Sequence, residues 1–194
     1  MVISLSKGSN LSLTKTAPTL KIARLGLGWD VRTTTGAAFD LDASALMLDV
    51  SGKVPNQGIG SFIFYGQLQS PEGAVIHTGD NLTGEGDGDD ETLLVDLTKV
   101  PATIDRIVLS VSIHEADQRG QNFGQVRNAF IRLVNDETNE EIVRYDLSED
   151  YSTETALNFA ELYRNNGEWK FRAVGQGYAT GLAGIATDFG VVLS

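Results

Sequence analysis

The 194-residue chain has no cysteine. A disulfide, a zinc–thiolate centre and a thiol nucleophile are all excluded, and the redox compartment is left open. Histidine is nearly absent as well: His77 and His114 are the only two, each at a strand end beside acidic residues, and both read as structural. Basic residues are outnumbered, 15 Lys and Arg against 26 Asp and Glu, for a net charge of −11. A nucleic-acid backbone needs a basic face, so it is not a partner. No apolar run approaches the length of a membrane span. The opening Met1-Val2-Ile3-Ser4-Leu5-Ser6-Lys7 lacks a basic region followed by a sustained apolar one, so the cytosol is the expected location. Neither a Gly-x-Ser-x-Gly elbow nor a Gly-x4-Gly-Lys-[Ser/Thr] phosphate loop occurs. Nothing nominates a nucleophile.

What remains is an ordinary globular composition, 41% hydrophobic with a mean hydropathy of −0.09. Its length is that of a single domain, residues 1–194, large enough to bury a core. One stretch departs from the ordinary. Between His77 and Thr92, the residues Asp80, Glu85, Asp87, Asp89, Asp90 and Glu91 crowd together among glycines with no basic residue. Two carboxylates about 6 Å apart repel by ~3 kcal/mol at an effective dielectric near 20, so a compact form needs a counter-ion. Glycines let the backbone turn its carbonyls inward. Hard oxygen donors without Cys or a His cluster suit calcium better than magnesium or manganese. A solvated acidic loop is the plainer reading of the same residues. Carboxylates saturated by calcium would serve neither as general acid nor as base near neutrality.

The loop is not an EF-hand. With Asp80 first and Glu91 twelfth, the third and fifth positions are Leu82 and Gly84, and the sixth is Glu85 in place of Gly. Its flanks, Gly73–His77 and Thr92–Leu97, are short and β-branched, so it joins strands. The Gly-Glu-Gly-Asp-Gly-Asp core resembles a calcium nonapeptide, but those work as arrays and there is no second copy. Asn10-Leu11-Ser12 and Asn81-Leu82-Thr83 match glycosylation triplets of a kind common by chance.

Along the chain, Leu5–Leu13 alternates about a Gly-Ser-Asn turn and predicts a small hairpin. Leu20–Leu27 predicts a strand ending at Gly28-Trp29-Asp30. In the strand that follows, Asp40 and Asp42 lie two apart and project from one face, a second candidate ligand pair with Asp30 beside it. Ser61–Leu68 predicts a strand covered on both faces, forming with Ser70-Pro71-Glu72-Gly73 the arm that delivers the acidic loop. Ile104–Ile113 predicts a buried strand. Residues 129–134 and 141–147 predict a hairpin about Asn135–Asn139, and Leu157–Arg164 and Glu168–Val174 flank Asn165-Asn166-Gly167. The glycine-rich Gly175–Gly184 lacks the βαβ setting of a dinucleotide loop and predicts close backbone packing. Many short strands, Gly- and Asp-rich turns and little helix make an all-β, two-sheet sandwich with long metal-binding loops.

Five stretches together resemble the TerD family of bacterial tellurite-resistance and stress-response proteins. They are Gly26–Asp30, Phe39–Ala45, His77–Glu91, Phe123–Val126 and Glu168–Gly175, in family order and spacing. The resemblance implies a calcium-binding β-sandwich with two ions. They would be held by Asp80, Asn81, Thr83, Glu85, Asp87, Asp89, Asp90 and Glu91 of the loop, with Asp30, Asp40 and Asp42 beside it. It also implies partners among other tellurite-resistance and stress proteins, including a TerC-like membrane protein that would recruit this one to the inner membrane face. Ser61 stands where relatives often carry Asp, and Gly66 where they often carry Asn. Two functions fit: a non-enzymatic calcium-binding interaction module, or a calcium-dependent enzyme or carbohydrate- or phosphate-ligand binder with an open coordination position. A thiol or redox group able to reduce tellurite is missing from the chain.

Overall fold

The computed structural model describes residues 2–32, 35–55, 58–79, 88–149 and 151–192. Its strands are β1 (Ile3–Ser4), β2 (Asn10–Ser12), β3 (Ile22–Gly28), β4 (Leu41–Leu48), β5 (Phe62–Ile63), β6 (Val75–His77), β7 (Glu91–Asp96), β8 (Arg106–Ile113), β9 (Phe130–Asn135), β10 (Glu140–Asp146), β11 (Ala156–Asn165) and β12 (Glu168–Tyr178). Three α-helical segments join them: α1 (Leu13–Thr16), α2 (Ala116–Arg119) and α3 (Gly181–Asp188). Two six-stranded sheets result, ordered β1-β10-β9-β3-β7-β6 and β2-β12-β11-β8-β4-β5. The all-β sandwich expected from the sequence is what forms.

Alternation explains which faces meet. In β7, Glu91, Leu93 and Val95 are buried while Thr92, Leu94 and Asp96 are less so, the signature of a sheet with one face on the core. Strand β4 is buried along its whole length. Leu41, Ala43, Ala45 and Met47 enter the core between the sheets, whereas Leu46 and Leu48 pack outward against Ile185 and Ala186 of α3. The β11–β12 hairpin closes on Asn166 and Gly167, both at positive φ (51° and 77°), as a two-residue primed turn requires.

Three expectations from sequence are corrected. Leu5–Leu13 does not form a hairpin. β1 runs parallel to β10 in one sheet and β2 antiparallel to β12 in the other, so the turn at Gly8 carries the chain across the sandwich. Ser61–Leu68 is not one strand either. β5 is two residues long, and Phe64 and Gln67 then exchange backbone hydrogen bonds of 3.0 and 2.9 Å about Tyr65-Gly66. Gly66 permits this fold-back because a Cβ there would meet the Phe64 ring at 2.6 Å. The arm that reaches the acidic loop is therefore β6. Finally, Gly181–Asp188 is helical, whereas the glycine-rich tail predicted only close packing; that packing does occur at Gly177, whose Cβ would collide with Glu154.

Gly175 sits at φ +62° where the β11–β12 register shifts between Asn158 and Ala160. This bulge opens space for two phenols. The Tyr151 hydroxyl donates to the Gly175 carbonyl at 2.7 Å, and a Cβ on Gly175 would lie 2.5 Å from the Tyr145 hydroxyl. Burial is the main cause pushing both Tyr145 and Tyr151 up to about 12. The folded state holds the neutral phenols, so their contribution to stability is whole below pH 10 and is lost as pH climbs from about 10 to about 12. Absorbance at 295 nm should show at least two of the five tyrosines ionising late in the native protein and at the ordinary position in urea, with the melting temperature falling over the same window. All five ionising together near pH 10 would contradict this packing.

Candidate metal centre

The acidic segments lie far apart in sequence, and register brings them to one end of the sandwich. Leu27 near the end of β3 pairs with Glu91 at the start of β7. Leu41 at the start of β4 pairs with Ile113 at the end of β8. β6 ends at His77. The loop between β6 and β7 therefore leaves and re-enters beside Asp30, Asp40 and Asp42. Asp80, Asn81, Thr83, Glu85 and Asp87 lie outside the described residues.

Glu91 turns inward and is 1% exposed. Its Oε2 accepts a hydrogen bond from the Ala43 N–H of β4, across the sandwich, and lies 3.6 Å from His77 Nε2. His77 Nδ1 accepts the Gly79 N–H at 3.3 Å, which puts the ring proton on Nε2, facing the carboxylate. The two residues bracketing the loop thus stand beside each other, and Glu91 is tied to the opposite sheet.

Asp90 continues the β3–β7 ladder. Its N–H donates to the Leu27 carbonyl at 2.8 Å and its carboxylate accepts the Trp29 N–H at 2.9 Å. Burial raises its pKa, the neighbouring Asp89 charge adds to that, and the Trp29 N–H opposes it. Asp89 lies flat on the outer face of the β3 sheet, in a space that exists because residue 26 is glycine; a Cβ there would collide with the carboxylate. Arg132 on β9, paired in register with Gly26, holds Asp89 at 2.7 Å and Glu141 at 2.9 Å. Gly28 serves Phe130 in the same way.

Asp40 and Asp42 project together, as their spacing predicts, away from the core positions Leu41 and Ala43 and onto the outer face of the other sheet. They are 6% and 5% exposed. Asp42 lies 3.5 Å from His114 Nδ1 and Asp40 lies 3.6 Å from an Arg119 amino group. Asp30 is exposed and accepts from Asn128 Nδ2 at 2.7 Å, while its N–H donates to the Arg127 carbonyl at 3.0 Å. Among the described residues no three acidic or histidine side chains stand close enough to hold a metal. The structure joins Asp89, Asp90 and Glu91 to the end of β3, and pairs Asp40 and Asp42 with α2 and His114. It does not gather Asp30, Asp40 and Asp42 into one cluster.

The sequence reading passed over Arg132 and Arg119. Arg119 sits in a four-residue helix with no apolar period to announce it. Arg132 had one pointer: a glycine inside a strand, at 26, marks close approach by a neighbour.

A TerD-domain model matches residues 1–189. The chain belongs to the TerD family. It is similar to the tellurium resistance protein TerD of Serratia marcescens, 60% identical over 191 residues and 98% of each chain. It is also similar to general stress protein 16U of Bacillus subtilis (strain 168), 56% identical over 192 residues and 98% of each. Among solved structures it resembles a homologue of telluride resistance protein from Streptomyces coelicolor A3(2), with a TM-score of 0.70 and 25% identity. That match covers 88% of this chain and 98% of the other. Tellurium resistance and stress response are thus the family setting of this TerD-domain protein.

Because Asp89 and Arg132 meet over Gly26, their energies should be coupled. A double-mutant cycle with Asp89→Asn and Arg132→Ala should give a coupling of about 1 kcal/mol by urea unfolding, weakened by salt. In a Gly26→Ala background the coupling should vanish. A coupling of zero in the wild-type background would show that the pair carries no stability.

Proposed function

We propose that this TerD-family protein is a calcium-binding, non-enzymatic interaction module of the stress and tellurium-resistance response. The observation that carries it is the topology: three separate acidic motifs are delivered to one end of a rigid sandwich, around a loop whose own residues are acidic and glycine-rich. The candidate donors of the sequence are carboxylates, an amide oxygen and a hydroxyl, a hard-oxygen set that fits calcium and its high coordination number. Asp80, Asn81, Thr83, Glu85 and Asp87 would supply the loop's ligands, with Asp90 and Asp30 at its borders; the Asp40–Asp42 pair, on the outer face of the other sheet, stands apart from them. Asp89 and Glu91 serve in this reading as anchors for the loop's exit, since Arg132 holds one and the interior holds the other. Calcium bound there would neutralise the loop and order a surface for partner proteins of the same resistance system. A TerC-like membrane protein among them would place the module at the inner membrane face. Among the described residues no helix is long and apolar enough to cross a membrane.

Binding to the folded state alone stabilises by about 2.7 kcal/mol per site at a hundredfold excess over Kd, which for a chain of this size is roughly 5–10 °C in melting temperature. Magnesium, which demands a tight octahedron and keeps its waters, should bind at least ~100-fold more weakly. Asp87→Asn should require more calcium for the same stabilisation and for partner capture, and recover both at saturation, because mass action restores the occupied state. A carboxylate needed for chemistry could not be rescued that way. Equal melting temperatures in calcium and in excess chelator would sink the proposal.

A further inference from the structure

Beside the acidic end lies a cleft of about 330 Å³. It is lined by Asp30, Arg32, Phe39, Gly124, Gln125 and Arg127. On a chain of net charge −11, two arginines lining one concavity need a reason.

Arg32 is fixed in place. Its guanidinium lies 5.1 Å from the centre of the Phe39 ring and donates to the Ala37 carbonyl at 3.2 Å. On another side it meets Gly36, where a Cβ would come within 2.9 Å of the guanidinium carbon. A cation stacked and oriented in this way loses little freedom when an anion arrives. Arg127 is its complement: exposed, with no ion pair among the described residues. Its backbone is nonetheless anchored, because the Arg127 carbonyl accepts the Asp30 N–H at 3.0 Å and Asn128 holds the Asp30 carboxylate at 2.7 Å. Asn128 accepts a left-handed φ of 52° to make that contact. The two walls are therefore tied to one another at their base. Asp30, held by Asn128, stands on the same cleft.

We propose that this cleft binds a phosphate group, either free or carried by a small molecule, between Arg32 and Arg127. Guanidinium forks match phosphate oxygens in geometry as well as charge. The volume corresponds to roughly ten waters at their liquid share of ~30 Å³, which is more than a bare phosphate fills and lies at the lower end of ligand-sized pockets. A monoester of nucleoside size should therefore outbind inorganic phosphate.

The test is calorimetric titration of the full chain in chelator, so that its outcome does not depend on the calcium proposal. Inorganic phosphate, a nucleoside monophosphate and the parent nucleoside are the probes. Both phosphate-bearing probes should bind and the nucleoside should not; whichever binds more tightly identifies free or esterified phosphate as the ligand. Arg127→Ala should weaken binding at least ~10-fold, as the loss of a charge-assisted bond implies, with an unchanged melting temperature because the side chain is exposed. Arg127→Lys should recover only part of the affinity, since a point charge lacks the fork. Lys99→Ala, a charge removed elsewhere, should change nothing. The proposal is overturned if neither phosphate probe binds at millimolar concentration, if Arg127→Ala binds as wild type does, or if the nucleoside binds as well as its monophosphate.

Discussion

The acidic end depends on one buried carboxylate. Glu91 is out of reach of water, and an ionised carboxyl there costs several kcal/mol unless partners satisfy it. One partner is the Ala43 N–H, left over because β5 pairs with β4 only at Ala45 and Leu46. A side chain from one sheet thus takes the place of a missing strand in the other. The second neighbour is His77, across the mouth of the loop. The loop's two ends, both sheets and the start of β4 are held by this contact. Asp90 on one side and Asp42 on the other are tethered to each other through it, as the sequence neighbours of Glu91 and Ala43.

Most of the architecture was legible in the sequence because burial on one face imposes a period of two. The alternation of β7, the Asn-Gly turn between β11 and β12, and the β9–β10 hairpin follow from local pattern alone. What could not be read depends on partners distant in the chain. Leu5–Leu13 has hairpin chemistry, yet each arm finds a better neighbour in a different sheet. Phe62–Leu68 has strand propensity, yet Gly66 lets the Phe64 ring fold over the backbone, and the aromatic stack with Phe62 at 4.6 Å replaces further pairing. α3 is short, begins at a glycine and is stabilised by packing on Leu46, Leu48 and Val108. No periodicity in eight residues could have shown that.

The candidate site divides in the same way. The sequence shows which residue types are present, carboxylates without Cys or clustered His. It could not show which carboxylates are already engaged. Asp89 and Asp90 are neighbours in sequence but face different surroundings: Asp89 lies over Gly26 against Arg132, whereas Asp90 caps the Trp29 N–H. Only the register of β9 against β3, which places Arg132 beside Gly26, makes that distinction.

The counter-charges set the conditions under which an ion could act. Arg132 at Asp89 and Arg119 at Asp40 keep these two carboxylates partly neutralised before any cation arrives, and His114 Nδ1 stands 3.5 Å from Asp42. Without them, repulsion at this end would oppose folding of a chain that already carries −11. With them, part of that repulsion is offset within the sandwich itself. In the proposed calcium-bound state the ion then acts on the loop's conformation, with little demand on the sandwich beneath it. Such a division suits a module whose response is a change of surface.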